Sequence, residues 1–260
     1  MSKDTSRRAP VGAAAPSPGV SALAVQALSL LRAPSPALHT DLMDRKLVAA
    51  MRTLILQSPA CPSDMIVDEM REAGLDDAQI VDLYIPAVAR ELGDCWLSDE
   101  LPFAQVSIGA ARLQALLPLL SDAPQDGVRG KHGAGLLIVT RNETHTLGAF
   151  VLAHQMRRRG ISIHVTVGPP ENEVTALVSR GGFDAVLISC AQPSGLVSVG
   201  NLVDTIRKTC AVVPPLVLGG AVAQGSDDLV QETGVDHVLT EVTDLLRLFG
   251  APVANGAIDR

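Results

Sequence analysis

Two rhythms divide the chain. From Asp41 to Leu120 apolar residues recur at helical spacing, and beyond Gly133 short apolar runs alternate with helical patterns. In the first half, Leu47, Ala50, Met51, Leu54 and Ile55 fall at i, i+3, i+4, i+7 and i+8, which predicts a helix with one apolar stripe. Pro62 at a first-turn position and Gly74 as a stop bracket a second helix. Asp76 with Gln79 has the pattern of a capping box and opens a third helix over Ile80–Leu92, which Pro86 must kink or interrupt. A fourth runs from Phe103 to Leu117. Four helices with short links predict a small bundle over 41–120.

Ser121–Gly133 is polar and turn-rich, a linker by composition. Apolar runs at 136–139, 161–167, 185–188, 216–218 and 237–239 then alternate with helical patterns at 146–159, 171–180, 196–209, 226–233 and 241–249. Arg157-Arg158-Arg159-Gly160 marks a helix stop, with positive charge at the negative end of the dipole and glycine just after. Five βα units predict a parallel sheet covered on both faces, and five strands suit the flavodoxin-like (Rossmann-like) order 2-1-3-4-5. The expected fold class is therefore α plus α/β: a four-helix bundle cap, then a five-stranded parallel-sheet domain over 134–250. Residues 1–40, rich in Pro, Ala and Ser, predict a disordered arm in which Val20–Leu31 forms a marginal helix, and 251–260 a flexible tail.

Composition narrows the chemistry. Apolar residues make up 47% but aromatics only 2%, so the core must come from Leu, Val, Ile and Ala. The net charge, 21 − 28 = −7, disfavours non-specific nucleic-acid binding by this chain alone. Cys61, Cys95, Cys190 and Cys210 lie far apart without a CxxC pair, which argues against a zinc cluster or disulfide framework. No apolar run reads as long enough to span a membrane. Arg7-Arg8 ahead of Val20–Leu31 has the outline of a twin-arginine export signal. Ala-Pro-Val-Gly after the arginines, and Ser and Gln within the stretch, spoil it, so the expected location is the cytoplasm.

The strand order puts the first and third strands side by side, and ligands bind in the crevice at their C-terminal ends. His145 follows the first strand, Ser189 ends the third and Gly219-Gly220 ends the fourth. Small residues there let a bulky ligand approach the backbone. Glu143, two residues before His145, can hold the far side of the imidazole, fixing its tautomer and raising its basicity. One histidine cannot hold a bare ion, but it can complete the coordination of a metal already held in a macrocycle. Singly, each feature has a plain reading. A histidine after a strand is usually solvated, glycines after strands are common, and Trp96 can simply anchor a helix junction. His154, His164 and His237 fall in periodic elements and read as structural. His39 and His132 fall in flexible segments, and Asp76-Asp77 and Asp227-Asp228 read as helix starts.

Taken together, the Glu-x-His-x-x-Gly of Glu143–Gly148, then Ser189, then Gly219-Gly220 resembles the cobalamin-binding fingerprint D/E-x-H-x-x-G … S-x-L … G-G. The helical segment before it resembles the cap of methionine-synthase-like and CarH-like modules. The resemblance implies that His145 is the lower axial ligand to cobalt in place of the dimethylbenzimidazole base, with Glu143 behind it and Thr144 between them. It implies that the displaced nucleotide tail passes Gly148, Ser189, Ala191 and the Gly219-Gly220 turn, Ala191 standing where the pattern has leucine. Trp96 resembles the tryptophan that covers the upper cobalamin face in CarH-like photoreceptors. Those proteins carry histidine just after it and Glu-His further on, where this chain has Leu97 and Val106-Ser107, so the upper face is built differently.

A cap plus cobalamin domain with a Pro/Ala tail and no DNA-binding module looks most like the AerR/PpaA antirepressors of purple photosynthetic bacteria. That resemblance implies adenosylcobalamin or hydroxocobalamin as cofactor and a regulatory rather than enzymatic role. It also implies a CrtJ/PpsR-type repressor as partner, with DNA reached only through it. The alternative is a corrinoid methyl carrier of a methyltransferase system, which shares the architecture. A mutase subunit is disfavoured, since no barrel is present.

Overall fold

The computed structural model describes residues 43–120, 129–141, 143, 145–224 and 228–253. The expected N-terminal arm with its marginal helix, His39, most of the linker, Thr144, Asp227 and most of the tail lie outside the described residues.

Helix α1 (Arg45–Leu56) starts at Asp44, whose carboxylate accepts the Lys46 N–H at 2.8 Å. It buries Val48, Met51 and Ile55, while Leu47 and Leu54 flank them. The predicted stripe is thus rotated. Ala50 is exposed, because Val48 offers more apolar surface to bury on the adjoining face. Helix α2 (Ser63–Glu72) stops at Gly74, which takes φ 91° while Leu75 N–H reaches back to Met70 O at 3.2 Å. The capping box is present: Asp76 Oδ1 accepts Gln79 N–H at 2.7 Å and Gln79 Oε1 accepts Asp76 N–H at 3.0 Å. The helix so begun continues as a π turn, Ile80–Tyr84, into α3 (Ile85–Leu97). Pro86 has no N–H to donate, and the widened turn, with Ile85 N–H on Ile80 O, accommodates it without breaking the helix.

Helix α4 (Phe103–Leu116) extends through a 3-10 turn at Leu117–Leu120. Phe103–Leu120 is long and apolar enough, with a mean hydropathy of 1.3, to cross a membrane by length and composition, contrary to the sequence reading. Here it is a wall of the bundle. Leu113, Leu116 and Leu120 sit in the core, and Arg112 donates to Ile55 O at 2.6 Å and Gln57 O at 3.0 Å.

The second half is a five-stranded parallel sheet in the order 2-1-3-4-5: β1 (Ala134–Val139), β2 (Ser162–Val167), β3 (Ala185–Ser189), β4 (Leu216–Gly219) and β5 (His237–Val238). Every residue of β1 is buried, which is why it reads as an unbroken apolar run. Helices α5 (Leu147–Arg158) and α9 (Val242–Leu248) cover one face through Ala149, Ala153, Met156, Leu245 and Leu246. Helices α6 (Glu171–Arg180), α7 (Leu196–Thr209) and α8 (Leu229–Thr233) cover the other.

Helix α5 faces both ways. Its alanines meet the sheet, whereas Leu147, Phe150 and Val151 join the bundle core. Three polar contacts fix this docking. Asp82 accepts Arg158 at 2.5 Å and Gln155 at 3.1 Å, and Thr146 Oγ1 donates to Gln114 Oε1 at 2.8 Å. His154 is buried beside them, and burial first, then Arg158, pushes its imidazole pKa down while Asp82 opposes. His132, expected in a flexible segment, donates its N–H to Gly160 O at 2.9 Å, just before β1 and at the opposite end of that strand from His145.

One device recurs at the N-terminal edge of the sheet. Asp184, just before β3, accepts the first N–H of β1 from Ala134 at 2.8 Å, and Asp236, just before β5, accepts the first N–H of β4 from Leu216 at 2.8 Å. Each carboxylate also takes an arginine, Arg129 and Arg207. Burial raises the Asp236 carboxyl pKa, but the Leu216 N–H and Arg207 outweigh it and leave it below the usual carboxylate range. A depressed folded-state pKa gives stability that is present above the unfolded value and lost as pH falls through the folded one. Asp236→Asn is expected to cost about 1 kcal/mol at neutral pH, the part-exposed arginine adding little, and the deficit should close in acid. Urea unfolding of both proteins across that range measures it; a deficit that grows towards acid contradicts it.

Candidate cofactor site

The row Val139–Ser189–Gly219 runs straight across β1, β3 and β4 and marks the C-terminal edge of the sheet. The loop after β1 turns at once, with Glu143 N–H on Thr140 O at 3.0 Å, and brings the side chains of Glu143 and His145 inward, each only 5% exposed. His145 Nδ1 lies against Glu143 Oε1. That same oxygen accepts the His145 N–H at 2.9 Å, and Oε2 accepts the Ala191 N–H at 2.7 Å from the loop after β3. One carboxylate therefore ties the two loops that frame the switch point of the sheet.

Burial raises the Glu143 carboxyl pKa, yet the His145 side chain, the Ala191 N–H and the His145 N–H outweigh it and hold it below the usual carboxylate range. An ionised carboxylate at Nδ1 keeps the ring proton there and leaves the Nε2 lone pair as the nitrogen that can bind a metal. Among the described residues no three His, Cys, Asp or Glu side chains gather as a cluster that could hold an ion. The donor set is one oriented imidazole, which fits a metal that arrives already held in a macrocycle and not a bare cation.

The other residues singled out from sequence fall around this pair unevenly. Ser189 ends β3 half-buried, and Ala191, buried, contributes its backbone N–H as well as its small side chain. Gly148 lies in the first turn of α5, and no atom stands within 4 Å of where a Cβ would be, so the helix is open on that side. Gly220 has a reason internal to the fold. At φ 99° its added Cβ would meet Cys190 O at 2.3 Å, so two loop backbones, rather than a ligand, demand the glycine. Gly219 is looser, with Leu239 O at 3.3 Å. Trp96 is half-buried against the bundle core and stands edge to face with Phe103, ring centroids 6.0 Å apart. Among the described residues no ring contact joins it to His145. Gln114 was not foreseen: through Thr146 it ties helix α4 of the cap to the residue following His145.

Removing the carboxylate should release the ring without touching Nε2. Glu143→Ala is expected to weaken hydroxocobalamin binding by about 10- to 100-fold, read by absorbance titration, with circular dichroism unchanged. An unaltered affinity would mean that Glu143 only closes the loop.

The B12 binding domain family matches residues 133–249. A 20.5 kDa protein of the bchF-crtJ intergenic region of Rhodobacter capsulatus is 34% identical over 188 residues, 72% of this chain and 98% of that protein. Among solved structures, the monomethylamine corrinoid protein of Methanosarcina barkeri superposes with a TM-score of 0.62 at 15% identity, over 79% of this chain and 98% of that one, which shows a shared fold. With a B12 binding domain matched over its sheet half and a relative aligned nearly end to end, the chain belongs to the B12-binding domain family.

Proposed function

We propose that this protein is a cobalamin-binding, light-responsive antirepressor that acts in the cytoplasm by engaging a CrtJ/PpsR-type repressor of photosystem genes. The observation that carries the cofactor half is the buried Glu143–His145 pair, with Nδ1 occupied and Nε2 left to bind. The regulatory half is supported by the relative's place between bchF and crtJ, among photosynthesis genes, and by a net charge of −7 that disfavours direct DNA binding.

In this reading His145 would hold the cobalt, with Glu143 fixing the imidazole ring. Gly148, Ser189, Ala191 and Gly219-Gly220 would hold the nucleotide tail and Trp96 would cover the corrin, while Thr144 lies outside the described residues. Bound adenosylcobalamin supplies a cobalt–carbon bond that light can cleave. The chain's own part is to keep the ring proton on Nδ1, to exclude water from a pair only 5% exposed, and to tie the ligand loop to the cap through Thr146 and Gln114. A cofactor can shift the repressor complex only as far as it binds the free and engaged forms differently.

His145→Ala is expected to abolish cobalt–imidazole coordination and most tight hydroxocobalamin binding while leaving the fold intact, since the residue sits on a loop. Absorbance titration decides it, and an unchanged spectrum and affinity would sink the assignment.

The regulatory step is tested on the repressor's affinity for promoter DNA, measured at one salt concentration with apo protein, holo protein and His145→Ala. Only the holo protein should change it. If all three behave alike, cobalamin is not the switch, and methyl transfer from the loaded corrinoid to a thiol acceptor becomes the function to assay.

A further inference from the structure

Helix α5 carries a histidine on the face that meets the bundle. His154 falls one turn after Val151 and two after Leu147, so the repeat that packs those two into the bundle core brings the imidazole into the same seam. The residue is 4% exposed. Arg158 Nη1 lies 3.4 Å from its Nδ1. A guanidinium has no lone pair to offer, so Arg158 donates and Nδ1 accepts. The ring proton is then on Nε2, which is buried with no hydrogen-bond partner among the described residues.

The arginine that donates to this ring is also the one that holds the cap. Its Nη2 reaches Asp82 at 2.5 Å on the π turn Ile80–Tyr84. Neutral His154 thus takes one arm of the guanidinium and aims the other. The charged groups that act on the ring are Arg158 and Arg157 of its own helix and Asp82 of the cap, while the turn Leu117–Leu120 is uncharged and offers the Leu120 carbonyl. Protonation would put an N–H on Nδ1, where Arg158 already points one. It would also place a third cation in a seam without water to solvate it. Asp82 is already shared by Arg158 and Gln155 and cannot answer another charge as well. Burial first, then Arg158, holds the ring below the ordinary histidine range. The stability it gives is whole above the unfolded value and is lost as pH falls from there through the folded one.

We propose that His154 is a proton-operated latch between cap and sheet: neutral, it keeps Arg158 on Asp82, and protonated, it releases the cap. The latch needs no cofactor, since all three groups belong to the chain, and so it stands apart from the cobalamin reading. Release also slackens the Gln114–Thr146 bond beside His145, which carries the change to the ligand loop.

Amide hydrogen exchange of the full apo chain, corrected for intrinsic rates, tests it between about pH 7.5 and about pH 5, the range in which histidine changes charge. Opening of α5 and of Leu117–Leu120, relative to β1 and β3, should rise about tenfold towards acid in the wild type, the worth of one hydrogen bond between charged groups. His154→Gln stays neutral throughout and should show no such step. Asp82→Asn should leave the seam open at both ends of the range. Should either variant fail to fold, the wild-type ring is followed by nuclear magnetic resonance, where it should titrate below the ordinary histidine range with the seam opening at the same midpoint. A seam indifferent to pH, an equal step in His154→Gln, or a ring that titrates apart from the seam would each overturn the proposal.

Discussion

Everything at the cofactor edge depends on where the Glu143 carboxylate spends its lone pairs. A buried carboxylate is costly unless answered, and this one is answered by the His145 ring, the His145 N–H and the Ala191 N–H. The arrangement does two things at once. It closes the loop after β1 onto the loop after β3, and it sets the tautomer that leaves Nε2 for a metal. Structure and coordination chemistry share one group, so neither can change without the other.

The cap is coupled to this edge through α5. Small residues toward the sheet and large ones toward the bundle make α5 a common wall of both cores. At one end Asp82 takes Arg158 and Gln155, and at the other Gln114 takes Thr146, next to His145. A displacement of the cap is therefore felt at the ligand loop through a hydrogen bond and a packed helix. The proposed signalling needs such a connection, because a change at cobalt can reach a partner protein only through elements that move together.

The architecture was legible in the sequence because its signals are local. Parallel strands buried on both faces read as apolar runs, and the order 2-1-3-4-5 followed from five βα units. The Asp76–Gln79 box and the Gly74 stop are local as well. What could not be read was set by packing or by backbone. Ala50 lost its place in the stripe to Val48 because both flank the same helix and only the bundle decides which turns inward. The π turn before Pro86 showed only as an interruption. The i, i+2 spacing of Glu143 and His145 foretold their contact. The Ala191 N–H that completes the site carries no residue signature, and Gln114 lies too far along the chain to announce Thr146. Gly220 looked like room for a ligand and proved to be room for the backbone of Cys190.

The central claim is that His145 supplies the lower nitrogen of a bound cobalamin. Electron paramagnetic resonance of the cobalt(II) state, on protein labelled with nitrogen-15 only in histidine, addresses it most directly. If His145 is the ligand, the superhyperfine triplet from nitrogen-14 becomes a doublet on labelling, and the doublet disappears in His145→Ala. A triplet that survives labelling would show that the cofactor keeps its own base, and would contradict the account.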